Sequence, residues 1–526
     1  MFHSIFKAKT FKRGLSLCFF FALCLILNAC KEEKLAKYVF FFIGDGASYA
    51  QRRLTELANA EKMFINTLPI QGSMTTAAVQ SNLPDNAAAA GALASGKQVE
   101  ESMISMLGKD LPAVPLITSV AAQNGYTVGI LTDTALDDAV AASFYAHSPK
   151  KQNYYDIAVQ AKDSGISLMI GQAFKRPKSF KKEDLKDVLR AGGYKQISSV
   201  TQKEQLPSGK VITAFRKIPF TIDAKASSPS LALFVEKAIE KFRQEKGFVL
   251  ITIAGKMNQA AQMHDTAALM REMDSFDLAV KKAYDFYREH PQETLIVVAG
   301  TVETGGMTLG INNSADLNID VLKNQKTSAE SFKTVINRFR KRRQVGASLE
   351  DFMPQIEKNF GLLRLSKEQK KELTAQAKKE DEAAKQKLAM NLTAAELSEL
   401  REAYRYSMTD TTKRPKTEAY LNKYGKYDPL QMAPMRILAR RAGVGYSTFG
   451  QTAVPIPVSA VGNGAFFFMG SYPQTALFEK ILRAMGLPLP AVTPHESAPQ
   501  TTTPVTPTTS DSTTSPVPAA DAKKAA

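Results

Sequence analysis

Five stretches of this chain are near-continuous apolar runs rather than alternating ones: Tyr38–Ile43, Thr127–Leu131, Ile166–Ile170, Phe248–Ile253 and Leu295–Ala299. A strand that reads this way is buried on both faces. The first run is closed by Gly44-Asp45-Gly46, a strand meeting a loop. Between the last two, Leu269, Met273, Phe276, Val280 and Ala283 recur at spacings of three and four, the period of an amphipathic helix. Strand, helix, strand in that order implies parallel pairing. The pattern predicts a three-layer α/β/α sandwich around a mostly parallel central sheet. Sheets of that kind carry their ligand sites in the loops at the carboxyl ends of the strands.

The texture changes at about residue 313 and stays changed to about 428, where Lys, Arg, Glu and Ala dominate. Thr393 to Glu396 is a capping box, with Leu392 and Leu397 placed as its hydrophobic staple. This region is expected to be a helical insertion whose charge runs are solvated helix faces. Core-like sequence resumes at Leu430 and ends near Leu487, so one domain is expected over 38–487. Residues 488–526 are rich in Thr, Pro, Ser and Ala, and are expected to be a disordered tail.

The amino end has another origin. Lys7, Lys9, Lys12 and Arg13 precede an apolar run from Leu15 to Leu27, the layout of an export signal over 1–29. That run is about 13 residues, short of the ~20 a spanning helix needs. It ends Leu27-Asn28-Ala29-Cys30, which resembles the lipobox of bacterial lipoproteins and implies an acylated Cys30 followed by a polar tether over 30–37. Cys18 and Cys24 fall inside the signal, so the mature chain would have no second thiol for a disulfide. The expected location is the bacterial cell envelope, lipid-anchored, on the periplasmic or cell-surface side.

Composition narrows the class further. With 526 residues, 44% of them hydrophobic and 23% charged, the chain can bury a large core, which excludes wholesale disorder. The formal charge is +17; residues 1–29 hold four basic and no acidic residues, so +13 remains without them. Such a surplus favours anionic surfaces. It lacks interleaved aromatics or a nucleic-acid motif, and no nucleic-acid partner is expected.

Six segments in order carry a family resemblance: YVFFFIGDGAS (38–48), LPDNAAAAGALASGK (83–97), GYTVGILTDTALDDAVAASFYAH (125–147), ITIAGKMNQAAQMHDTAALMRE (251–272), VVAGTVETGGMTLG (297–310) and GQTAVPIPVSAVG (450–462). Together they resemble the alkaline phosphatase family. The resemblance implies a phosphomonoester hydrolase with a serine nucleophile at a helix start, two zinc ions and a magnesium ion. In such a centre the cations activate the hydroxyl, then a water, and clamp the attacking and leaving oxygens.

Matched position by position, most of that apparatus is replaced. Asn86 stands at the serine position and Lys151 at that of the phosphate-holding Arg, which keeps a charge but loses the bidentate fork. Ala254, Asn258 and Gln262 stand where the resemblance implies a magnesium-binding Glu and a zinc-binding Asp and His. Thr301 and Val302 replace two further ligands, Gln451 the last zinc His, and Val140 the Thr that partners the acid at Asp138. Only Asp45 and Asp138 keep their acids. Asp45 could be a lone weak magnesium ligand or could cap the following helix, the cap being preferred. Asp85 and Asn86 can serve simply as a helix start. Of the four histidines after the signal, His147 is expected to pack, His290 to face a helix dipole, His495 to lie in the tail, and His264 to point away from the lost ligand position by about 200° of helix rotation.

The expected protein is therefore a pseudophosphatase: an exported lipoprotein on the alkaline phosphatase fold with no intact catalytic residue, no expected cofactor, and a binding or scaffolding role. The alternatives are an active metal-dependent phosphomonoesterase with unconventional ligands such as Thr301 or His264, and a protein that binds phosphate or anionic glycans through Lys151. Expected partners are the membrane, through Cys30, and a protein or anionic ligand. Family members commonly pair, which leaves a homodimer open.

Overall fold

The computed structural model describes residues 35–178, 183–311, 316–342 and 346–490. The expected export signal, Cys30, His495 and nearly all of the expected tail lie outside them. The predicted strands are present as β1 (Tyr38–Gly46), β3 (Thr127–Ala135), β4 (Leu168–Gln172), β7 (Phe248–Ala254) and β8 (Thr294–Thr304). Shorter strands join them: β2 (Ile70–Thr75), β5 (Lys195–Ile197), β6 (Val211–Phe215), β9 (Met307–Leu309), β10 (Val444–Tyr446), β11 (Gln451–Thr452), β12 (Ile456–Gly462) and β13 (Gly470–Pro473).

The central sheet runs β13-β2-β12-β8-β1-β7-β3-β4-β6-β5. Its pairs are parallel except where β12 runs against both β2 and β8, and where β11 pairs antiparallel to the end of β8. Helices cover both faces, the arrangement the apolar runs require. β1 shows why the runs are continuous. Phe40 and Phe42 enter one hydrophobic cluster, whereas Val39, Phe41 and Ile43 enter another on the opposite face, and all five are fully buried. The predicted helix is α4 (Thr266–Glu289), and its buried residues include Leu269, Met273, Phe276, Val280 and Ala283.

From residue 307 to 446 the chain leaves the sheet and returns. β9 and β10 pair antiparallel as a two-stranded ribbon at the base of this excursion. Between them lie helices at Ala329–Arg342, Leu349–Phe360, Lys367–Ala377, Glu382–Ala389, Ala394–Met408 and Glu418–Tyr424, then α5 (Pro429–Arg441). The capping box at Thr393 and Glu396 is formed, and Arg441 of α5 also holds the Glu396 carboxylate at 2.6 Å.

Candidate functional site

The register of the sheet assembles the site. Gly44 lies beside Ala254 of β7 and beside Gly300 of β8, so the three strand ends open at one level. Just beyond, Gly46 has φ +81°, and a Cβ there would come 2.7 Å from the Asn258 backbone. Only glycine lets helix α3 (Lys256–Gln262) rest this closely on the β1 loop. The head of α2 (Asn86–Ser95) faces the same loop: Asn86 Nδ2 donates to Asp45 Oδ2 at 3.3 Å.

Asp45 is 2% exposed and accepts from three neutral side chains. Asn258 Nδ2 donates to Oδ2 at 2.9 Å, Asn86 donates to the same oxygen, and the Thr301 hydroxyl donates to Oδ1. Burial pushes the Asp45 carboxyl up to about 7; the Thr301 hydrogen bond opposes this, the nearby Asp138 charge adds to it, and the two amides pull it back. Gln262 Nε2 donates to Asn258 Oδ1 at 3.3 Å, and the Tyr427 hydroxyl donates to Gln262 Oε1 at 3.5 Å. The result is a chain of amides and hydroxyls from the sheet core to the helical excursion.

The expectation that Asp45 caps a helix is not met. The helix α1 (Tyr49–Asn59) is capped by Ser48 with Gln51 in a capping box, because the chain makes two more residues of loop before turning. Asp45 instead points across the sheet to α2, α3 and β8. Asn86 does begin a helix, with Asp85 as its cap: Asp85 Oδ1 accepts from the Ala88 amide at 2.9 Å. The other Asp85 oxygen accepts from Lys151 Nζ at 2.6 Å and from the Ser102 amide at 3.0 Å. Lys151 is thus brought to the head of α2 but is already committed to a carboxylate.

Asp138 takes an ion pair from Lys175 at 2.8 Å. Val140, Ala254 and Val302 are buried and offer no donor atom. Gln451 is half-buried on β11, its backbone opposite Thr304. Glu303, also buried, closes the glycine turn after β8. Its oxygens accept from the Gly306 and Met307 amides at 3.1 and 3.2 Å, from Gln51 at 2.8 Å and from the Thr452 hydroxyl.

His264 is not on a helix, so the rotation argument does not apply to it. It follows the end of α3 with φ 51°, its Nε2 donates to the Thr448 carbonyl at 2.8 Å, and its ring is stacked between Tyr446 and Phe449, each with centroid 4.3 Å away. Burial pushes its pKa down to about 4. The other two described histidines are structural: His147 donates to the Val114 carbonyl at 2.8 Å, and His290 ends α4 with its ring against Phe286.

Two residues that complete the site were not anticipated. Lys175 lies three residues past the end of β4, where the strand-end rule points, although no motif marks it. Tyr427 comes from the helical excursion, and no local signal ties it to Gln262.

The donor set does not fit two zinc ions. Zinc takes imidazole, thiolate or carboxylate, whereas the groups around Asp45 are amides, a hydroxyl and aliphatic side chains. Among the described residues no group of three or more His, Cys, Asp or Glu is arranged to hold a metal ion.

Comparison with known proteins agrees with the architecture. The family model described as alkaline phosphatase matches residues 36–210 and 211–487. Alkaline phosphatase 4 of Bacillus subtilis is 27% identical over 265 residues, 47% of this chain and 55% of that protein. Alkaline phosphatase 3 of the same organism is 23% identical over 416 residues, 77% of this chain and 78% of its own length. The chain therefore spans about half of one relative and over three quarters of the other. The crystal structure of Thermus thermophilus alkaline phosphatase superposes with TM-score 0.69 at 20% identity, covering 86% of this chain and 92% of that one. The cold-active enzyme of a Shewanella species gives 0.66 at 22% identity, covering 85% and 99%. With the sheet, the strand-end loops and a match across nearly the whole described body, the chain belongs to the alkaline phosphatase family.

Proposed function

We propose that this member of the family is a pseudophosphatase: an exported, lipid-anchored protein that has kept the fold and serves binding or scaffolding instead of hydrolysis. The observation that carries the reading is the hydrogen-bonding of Asp45. Its oxygens accept from Asn86, Asn258 and Thr301, three side chains at positions where the family resemblance puts the nucleophile and metal ligands. An amide at the nucleophile position cannot be phosphorylated and released as a hydroxyl can. By analogy with serine hydrolases, losing the nucleophile lowers turnover on the order of a millionfold. The ammonium of Lys175 against Asp138 engages the other retained acid.

These replacements are coordinated, which is unlike random decay. Asn86, Asn258 and Thr301 all donate to Asp45, Gln262 donates to Asn258, and the surrounding strands, glycines and caps are intact, so selection on a folded, non-hydrolytic body accounts for both. The rival reading, an active enzyme using Thr301 or His264 as ligands, conflicts with the hydrogen bond Thr301 makes to Asp45 and with the stacking of His264. Zinc and magnesium content of the purified full chain, measured together with p-nitrophenyl phosphate hydrolysis at alkaline pH, tests the proposal. Expected are zinc well below one ion per chain and no chelator-sensitive turnover. Stoichiometric zinc with turnover that a chelator abolishes would overturn it.

A further inference from the structure

The end of the sheet opposite the Asp45 pocket carries the amino ends of β1, β3, β7 and β8, together with the carboxyl end of the reversed β12. The described chain enters there. The Ala36 amide donates to the Ala484 carbonyl at 2.9 Å, at the end of α6 (Ala476–Ala484), and Leu35 covers Gly486, where a Cβ would lie 2.5 Å from the leucine. From this point an apolar surface runs outward. The Arg483 guanidinium lies 4.4 Å from the Phe467 ring centre, Phe467 packs on Phe466 at 4.1 Å, and Phe466 borders a groove with Pro69, Ile70, Tyr287 and Pro291.

The three most exposed large apolar side chains among the described residues belong to this end: Met469 at 60%, Phe466 at 56% and Leu489 at 53%. Leu35 adds a fourth at 48%. Apolar groups gathered at one end of a body and bordered by basic side chains mark an interaction surface rather than ordinary scatter. Arg483 and Lys480, whose ammonium reaches the Phe467 carbonyl at 2.6 Å, supply that border.

Sequence length decides the occupant. Four residues, Lys31 to Lys34, separate Cys30 from Leu35, so at full extension the two Cα atoms are no more than about 18 Å apart. We infer that the face centred on Phe466 lies on the lipid surface that holds an acylated Cys30, with phenylalanine and leucine at the acyl boundary and Arg483 at headgroup phosphates, so that the Asp45 pocket points away from the membrane. This rests on the lipid-anchor reading of Cys30. An amphipathic patch of this kind supplies the second contact that makes membrane attachment stable and oriented.

No cysteine follows Cys30, so a cysteine introduced at Phe466 is a unique free thiol in the mature acylated chain. With that thiol carrying a nitrobenzoxadiazole dye and the protein in phosphatidylethanolamine–phosphatidylglycerol vesicles (3:1), doxyl-labelled lipid should quench emission at least twofold. The same dye at Val454→Cys, on the exposed loop before β12 at the pocket end, should be unaffected. Equal quenching at both positions, or none at either, overturns the orientation, and so does quenching that follows protein density instead of doxyl content, which would assign the face to a second copy. Mass spectrometry of the amino-terminal peptide checks the anchor separately. If Cys30 carries no acyl group, flotation of the unacylated chain with the same vesicles decides: binding that falls at least fivefold in Phe466→Asp retains the lipid-facing surface, whereas flotation equal in the two chains, or absent from both, removes it.

Discussion

Asp45 and Asn86 make opposite tests of the same site. Truncating Asp45 to Ala leaves two amide donors and a hydroxyl without their acceptor, with Asn258 and Thr301 buried and Asn86 half-buried, and each buried orphan carries a desolvation cost. Asp45→Ala should therefore lower stability by about 2–4 kcal/mol, read from urea denaturation of the parent and the variant. A vestigial acid that merely faced solvent would change it by less than about 0.5 kcal/mol. Asn86→Ser restores the hydroxyl that the family resemblance requires and nothing else. Without cations to lower its pKa, that serine should hydrolyse p-nitrophenyl phosphate no faster than the parent chain. Turnover appearing in this single variant would mean that the site gathers metal despite its amides. Both residues were visible in the sequence because they sit in motifs whose register is fixed by glycines. Lys175 and Tyr427 were not, because each reaches the site from an element remote in sequence, and side-chain length and packing rather than periodicity decide that meeting.

At the scale of elements, the close packing of α3 on the β1 loop depends on one glycine. Gly46 adopts φ +81° and allows 2.7 Å between its missing Cβ and the Asn258 backbone, so Gly46→Ala faces backbone strain and a collision with main chain at once. Its stability should fall by roughly 2–4 kcal/mol, with a fluorescence or circular dichroism melt as the readout. If α3 could slide to accommodate the methyl, the loss would be below 1 kcal/mol. The elements themselves were legible to different degrees. β1, β7 and β8 are buried on both faces and announce themselves as unbroken apolar runs. β12 and β2 carry Ser, Gly, Gln and Pro among their apolar residues, and β13 is four residues at the sheet edge, so neither these strands nor the reversal of β12 could be read from periodicity. The helix face of α4 was legible because its spacing is kept for four turns. The short α3 was legible only as a motif, and the turn that carries His264 off its end was not.

Across the whole molecule, burial of carboxyl groups ties stability to pH. Burial pushes Asp133, Asp137 and Asp265 each up to about 6, and pushes Glu272 up to about 8, with the Asp133 charge adding to the last shift. Glu272 lies on α4, away from the Asp45 network, and accepts from the Thr221 amide at 2.6 Å. Its folded pKa is raised above the ordinary 4.5, so near neutrality the folded chain binds a proton that the unfolded chain does not. Stability from this group is fully present below about 4.5 and is lost as pH rises towards 8. His264 acts in the opposite sense, its unfolded imidazole still titrating around 6.5, whereas Asp45, raised to about 7, and the three aspartates, raised to about 6, act in the same sense as Glu272. From pH 6.5 to 8 Asp45 and Glu272 therefore titrate together, and the share of the fall in unfolding free energy that belongs to Glu272 should be roughly 1–2 kcal/mol. Glu272→Gln keeps the acceptor for Thr221 and cannot ionise, so its stability should fall by roughly 1–2 kcal/mol less than the parent's over the same interval. Parallel slopes for the two chains would mean that Glu272 is already ionised in the folded state, with Lys256, buried nearby over the Phe220 ring, as its counterion.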